Sequence, residues 1–141
     1  MACMGSSMQY REEKGVAIVN AAVLGMGLLT NDGPPDWHPA GSELKTACEQ
    51  AAKYCKEREV NIAKLAACYS FSQPDIDVHL IGMRNRKLLE MNLHSIIDDL
   101  TSYEKTVQDE VLKKFFENLS TPHWENKEVQ SYWEKMKEIN I

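Results

Sequence analysis

The spacing of apolar residues changes along the chain, and each change marks an element. Residues 1–14 have no apolar period and include Gly5-Ser6-Ser7. They read as a disordered or non-native lead, or as the tail of an upstream helix. Gly15 then opens Val16-Ala17-Ile18-Val19, a short β-branched run that continues into Asn20-Ala21-Ala22. A continuous apolar run of this length predicts a strand buried on both faces, as in a parallel sheet. Leu24-Gly25-Met26-Gly27-Leu28-Leu29 follows, and then Asn31-Asp32-Gly33-Pro34-Pro35-Asp36-Trp37-His38-Pro39. Three prolines and a glycine exclude a helix from that stretch. A loop of this length inside a compact domain is more often functional than not.

Helical spacing begins at Ser42, which is expected to be an N-cap with Glu43 near the positive end of the dipole. Leu44, Ala47, Cys48, Ala51, Ala52 and Cys55 then recur on one face. Asn61 caps a second predicted helix with the stripe Ile62, Leu65, Ala66 and Tyr69, ended by Ser72-Gln73-Pro74-Asp75. Val78-His79-Leu80-Ile81 is the second strand expected, closed by Gly82. Three further helices are predicted. One over about 85–98 carries Leu89, Leu93, Ile96 and Ile97 on one side, and one over about 103–119 carries Val107, Val111, Leu112, Phe115 and Phe116. The last, over about 125–139, carries Val129, Tyr132, Trp133, Met136 and Ile139. No internal repeat or low-complexity segment interrupts this order.

Two strands joined by a helical crossover read as one parallel βαβ unit, so the fold class is α/β. Two strands alone leave both sheet edges unpaired, which predicts that further strands belong beside them. Length agrees: 141 residues suit one domain but fall short of a complete (β/α)8 barrel, which takes roughly 200 or more. The formal net charge is -5 with both signs interspersed, which argues against a nucleic-acid-binding face. Val16 to Leu29, the longest apolar run, is too short and too glycine-rich for a bilayer span. The first ten residues hold no hydrophobic signal segment. Cys3, Cys48, Cys55 and Cys68 form no CxxC pair and read as reduced, small core residues of a cytoplasmic protein.

Two junctions are candidates for chemistry. Glycines from Ala21 to Gly27 lie at the carboxyl end of a predicted parallel strand, where ligands approach backbone in α/β folds. The competing reading is a plain tight turn, and the pattern is not a GxGxxG fingerprint. The second junction, Gly82-Met83-Arg84-Asn85-Arg86-Lys87, follows the second strand and opens a helix. A helix amino terminus attracts anions, and cations placed there cost stability unless an anion is near. They are otherwise solvated surface charges. His38, beside Trp37 in the proline-rich loop, either contacts a ligand or closes the loop. His79 reads as structural. His94 and His123 lack partners at metal-ligand spacing, so no metal site is expected. Asp98-Asp99 is not read as a catalytic pair, and no GxSxG elbow is present.

These junctions carry a resemblance to the aldo-keto reductase superfamily. Val16 to Leu29 resembles the family's seventh strand and following loop. The "LxMGLLT" ending and the loop Gly33-Pro34-Pro35-Asp36-Trp37-His38-Pro39-Ala40 resemble the L-galactose dehydrogenase-like branch. The helix Ser42 to Lys56 and the segment Ile62 to Ser70 are similar to that branch as well. Leu80-Ile81-Gly82-Met83, with Asn92 ten residues after the glycine, is similar to the last strand and its phosphate-binding helix. The resemblance runs from Gly15 to Ile97.

It implies the carboxy-terminal part of a (β/α)8 TIM barrel over 15–100: the last two parallel strands with their helices, then a helical extension over 101–141. It implies a dinucleotide cofactor, NADP or NAD, and a small carbonyl or sugar substrate. By resemblance, Ala22, Val23, Leu24 and Gly25 lie along the nicotinamide and pyrophosphate. Gly82, Met83, Arg84, Leu88, Met91 and Asn92 line the adenosine phosphate end, and Trp37 and His38 belong to a substrate or cofactor loop. Many members have serine at the place of Ala22, proline or alanine at Val23, arginine or glutamine at Leu88, and glutamate at Met91. Arg84 or Arg86 is the compensating cation.

The family's catalytic tyrosine, lysine, aspartate and histidine come from the first half of the barrel. Tyr10, Lys14 and Asp32 do not stand in those motifs, so no catalytic residue is assigned. The expectation is an oxidoreductase truncated to its cofactor-binding half, inactive alone, with no nucleic-acid or membrane partner and with self-association through exposed core surface. The alternatives are a non-catalytic helical interaction module and a truncated gene or splice product.

Overall fold

The computed structural model describes Arg11, residues 13–125, Lys127 and Glu134. The expected lead over 1–14 lies mostly outside the described residues. Within it, Arg11, Glu13 and Lys14 are helical, and the Gly15 N–H closes that turn on the Arg11 carbonyl at 2.8 Å. The last predicted helix, over 125–139, also lies outside the described residues apart from Glu125, Lys127 and Glu134.

The chain forms β1 (Val19–Ala21), a 3-10 turn (Gly25–Gly27), α1 (Ser42–Lys56) and α2 (Ile62–Phe71). After these come β2 (Val78–Leu80), α3 (Arg86–Ile97), α4 (Ser102–Val111) and a π-helical segment (Leu112–Phe116). β1 and β2 pair in parallel, Val19 with Val78, Asn20 with His79 and Ala21 with Leu80. The βαβ unit read from the apolar pattern is therefore present.

Helix packing makes the core. α1 buries Leu44, Ala47, Cys48, Ala51, Ala52 and Cys55, the stripe its spacing predicts. Ala51, Ala52 and Cys55 meet Val60, Ile62 and Leu65 of the α2 region and Leu100, Val107 and Val111 around α4. A second cluster joins Leu28 and Ala40 to Leu44 and Cys48. Burial pushes the Cys48 and Cys55 thiols up to about 11, so both are inert packing groups. Side-chain caps fix two helix starts in this core. Asn61 Oδ1 accepts the Ala63 N–H at 2.9 Å, and Thr101 with Glu104 forms a reciprocal capping box.

The structure corrects several expectations. Gly41, not Ser42, is the N-cap of α1, because extended backbone at Gly41 (ψ 162°) places Ser42 inside the first turn. β1 begins three residues later than the β-branched run, at Val19. The Asp77 carboxylate takes the Ile18 N–H at 2.8 Å, and the Asp77 and Val78 N–H groups both reach the Ile18 carbonyl. β1 is not buried on both faces: Val19 is 59% exposed, and Val78 and Leu80 across the register are also exposed. On α3 the expected apolar side, Leu89, Leu93, Ile96 and Ile97, faces solvent, whereas Asn92 and Ser95 are buried. The helix predicted over 103–119 is α from Ser102 to Val111 and then widens, with the Glu117 N–H bonding the Leu112 carbonyl at 3.0 Å. Among the described residues no helix is long and apolar enough to cross a membrane.

Candidate functional site

Parallel pairing of three successive residues sets the geometry of the site. Both strands run in one direction, so the segments that leave their carboxyl ends, Ala22–Gly25 and Ile81–Arg84, emerge side by side. The two junctions, 57 residues apart as measured from Gly25 to Gly82 (82 − 25), therefore share one end of the sheet.

Beyond β1 the backbone turns left-handed four times. Ala22 (φ 56°), Gly25 (φ 55°), Met26 (φ 52°) and Gly27 (φ 103°) all have positive φ. Left-handed backbone at a non-glycine costs about 1–2 kcal/mol, so Ala22 and Met26 carry strain that the surrounding structure must hold. Four backbone bonds tie the turn: Gly25 N–H to Ala22 O (2.7 Å), Gly27 N–H to Leu24 O (3.2 Å), Leu28 N–H to Gly25 O (3.1 Å) and Leu29 N–H to Leu24 O (3.1 Å). Val23, Leu24 and Gly25 are half-buried and Ala22 is exposed. A side chain at Gly27 would be strained by its φ of 103° and would press on Pro35, whose Cδ lies 3.1 Å from the place of a Cβ.

The second junction is open. A Cβ at Gly82 would meet nothing within 4 Å, and Gly82, Met83 and Arg84 are exposed. Asn85 caps α3, its Oδ1 accepting the Leu88 N–H at 3.0 Å. Arg86 turns along the helix to Glu90 (Nε–Oε1 2.7 Å), a surface pair of small energetic weight. Of the cations flagged at this junction, Arg84 stands at the strand end with no ion pair among the described residues. Leu88 and Met91 are half-buried, and Met91 Sδ accepts from Asn61 Nδ2 at 3.7 Å. Asn92 is 7% exposed, so its amide lies in the packed side of α3 rather than at the open end.

Trp37 and His38 occupy different environments. Trp37 is 69% exposed, while His38 is 3% exposed. The Ala40 N–H donates to His38 Nδ1 at 3.0 Å, which places the imidazole proton on Nε2, and Nε2 donates to the Gly25 carbonyl at 3.0 Å. Both ring nitrogens are thus committed within the protein. Trp124 packs edge-on against the ring at 4.8 Å between centroids. The long loop is thereby fastened to the end of β1. His79 faces the helical side of the sheet, with Asn20 Nδ2 and Ser70 Oγ each 3.3 Å from its Nδ1 and Phe71 edge-on at 5.0 Å. Nothing in local spacing singled out the His38–Gly25 bond or the Asn20–Ser70–His79 cluster. The first spans 13 residues and the second joins β1, α2 and β2, so only the fold brings their members together.

A cavity of about 550 Å³ runs along β1 and reaches the first junction, lined by Asn20, Ala22, Val23, Leu65, Tyr69 and Phe116 among others. It lies toward the helical layer, apart from the Gly82–Arg84 junction. Among the described residues no three His, Cys, Asp or Glu side chains converge as metal ligands would.

The aldo/keto reductase family model matches residues 7–113, more than the Gly15–Ile97 span on which the sequence resemblance rests, and takes in α4. The chain is 36% identical over 118 residues to L-galactose dehydrogenase of Arabidopsis thaliana, which covers 82% of this chain and 37% of that protein. It is 40% identical over 63 residues to D-arabinose 1-dehydrogenase of Saccharomyces cerevisiae, covering 45% of this chain and 19% of that protein. The match therefore spans 37% of the length of the first relative and 19% of the second. Matched across most of its length by the family model and aligned over 82% of it with a sugar dehydrogenase, the chain belongs to the aldo/keto reductase family.

Proposed function

We propose that this chain forms the cofactor-binding part of an NAD(P)(H)-dependent oxidoreductase, with β1 and β2 as the last two strands of a (β/α)8 barrel. One observation carries the reading: the parallel register sets Ala22–Gly25 beside Gly82–Arg84 at a shared carboxyl end, where barrel enzymes hold their ligands. The residues there fit a dinucleotide. Gly82 leaves room for a phosphate against backbone, and Arg84 supplies a charge that has no ion pair among the described residues. The start of α3 adds N–H groups and a positive dipole end. Val23, Leu24 and Gly25 offer a half-buried wall to a nicotinamide ring, with Trp37 exposed above the loop. Leu88 and Met91, both half-buried, would border the adenosine end by apolar contact rather than by charge, with Asn92 on the packed side of the helix.

A bound dinucleotide would accept or donate the hydride. The residues of this chain would bind and orient it, and the tyrosine, lysine, aspartate and histidine that handle the proton would come from strands outside these residues. The substrate class proposed is a sugar or another small alcohol or carbonyl compound, by analogy with the two dehydrogenases. Alone, the chain is expected to be inactive and to self-associate through its uncovered apolar faces.

Titration of NADPH and NADH against tryptophan fluorescence tests the reading. Saturable quenching that Arg84→Glu abolishes supports it, because charge reversal at the strand end repels the phosphate. No binding, with tight self-association instead, favours the alternative of a helical interaction module. The exposed row Leu89, Leu93, Ile96 and Ile97 is the observation on that side.

A further inference from the structure

We infer that His38 is the positioning residue of this site, a latch that holds the strained turn after β1 in the shape a dinucleotide meets. The inference rests on the cofactor reading above for its purpose, and on geometry alone for its mechanism.

At 3% exposure His38 has almost no surface with which to touch a ligand, and both of its nitrogens are engaged. What it holds is the Gly25 carbonyl. That oxygen accepts twice, from His38 Nε2 at 3.0 Å and from the Leu28 N–H at 3.1 Å. The peptide plane between Gly25 and Met26 is therefore pinned on one side. It joins two consecutive left-handed residues, of which Met26 (φ 52°) is strained. Without the imidazole, rotation of this plane relieves Met26 and loses only one backbone bond. The imidazole is held by the Ala40 N–H on Nδ1 and by the Trp124 edge, and the backbone N–H of His38 bonds the Pro35 carbonyl at 3.0 Å. Pro35 also packs on Gly27, at the far end of the same turn. Loop 31–41 and turn 22–29 thus form one clasped unit, and the histidine is the clasp.

Two neutral substitutions separate this role from simple packing. His38→Gln places an amide nitrogen near the position of Nε2 and keeps a donor for the Gly25 carbonyl. His38→Asn places an oxygen near the position of Nδ1, keeps the acceptor for Ala40 and leaves nothing at the far end. In the full chain, hydrogen exchange of the Leu28 and Leu29 amides reads the turn, and an NADPH titration reads the site. The expected result is faster exchange at both amides and about three- to tenfold weaker NADPH binding for His38→Asn, the effect of losing one buried hydrogen bond. His38→Gln is expected to restore both.

If His38→Asn exchanges and binds as the natural protein does, or if both variants fail equally, the latch is overturned. Should His38→Asn not fold, the imidazole ¹⁵N couplings of the natural protein decide. A proton on Nε2 is expected, and a proton on Nδ1 overturns the inference. Failure of the natural protein to bind NADPH counts against the cofactor reading, whereas the exchange data still decide whether His38 holds the turn.

Discussion

Leu65 in α2 and Leu80 in β2 are the same residue in regular structure, yet the first is 3% exposed and the second 64%. The contrast extends to their surroundings. α1, α2 and α4 close on one another around Ile62, Cys55 and Val107. On α2 the buried residues are Ile62, Ala63, Leu65 and Ala67, whereas Tyr69 of the expected stripe is 40% exposed. The sheet turns Asn20 and His79 toward the helices and presents Val19, Ala21, Val78 and Leu80 on its open face. A strand pair that has an uncovered apolar face and two free edges among the described residues resembles part of a larger sheet more than a finished one. The helical region carries the stability of this chain, and the sheet end carries its proposed binding site.

Substitutions can break that division. The largest effect is expected in the helical core. Ile62→Ala removes a side chain that is 2% exposed and is predicted to cost about 2–5 kcal/mol in urea unfolding. Next comes the turn after β1, at the proposed site. Gly27→Ala forces φ 103° on a residue with a Cβ and presses it onto Pro35, for about 1–3 kcal/mol and a loosened loop in limited proteolysis. Thr101→Ala removes the capping box of α4 and is predicted to cost about 1 kcal/mol in the same unfolding experiment.

Acid attacks the helical region through three carboxyls. Hydrogen bonds from Ser120 hold Glu43 below its usual 4.5. The Tyr54 hydroxyl does the same for Glu110. Burial raises Glu104, but Lys64 and the Thr101 bonds outweigh it and leave its carboxyl lowered. A carboxyl lowered by folding stabilises above its unfolded value and loses that contribution as pH falls through the folded one. Thermal melts are therefore expected to hold steady above 4.5 and to drop below it, less so in Glu104→Gln. The smallest stability effect is expected on the sheet. Leu80→Thr should change unfolding by no more than about 0.5 kcal/mol while reducing self-association in sedimentation.

The same contrast explains what the sequence disclosed. Helix stripes are local: Leu44, Ala47, Cys48 and Ala51 repeat at one period, and Asn61 accepts from an N–H two residues on. The parallel pair was legible too, because β-branched runs flank a helical crossover. Exposure was not legible. Leu89, Leu93 and Ile96 read as a core stripe by spacing, and only the packing of α3 on its Asn92–Ser95 side shows which way the helix turns. The start of β1 depended on the Asp77 carboxylate 59 residues away. For the site, the glycines and Arg84 were visible as types at strand ends, whereas the engagement of both His38 nitrogens was not. The sequence left His38 to contact a ligand or to close its loop, and the fold bonds it to the Gly25 carbonyl.

Amide chemical-shift mapping with NADPH is the most direct test of the shared strand end. Shifts are expected to cluster at Ala22–Gly25 and Gly82–Arg84 together, growing in step along one titration. Shifts confined to one of these segments, or centred on the exposed row of α3, would contradict the account.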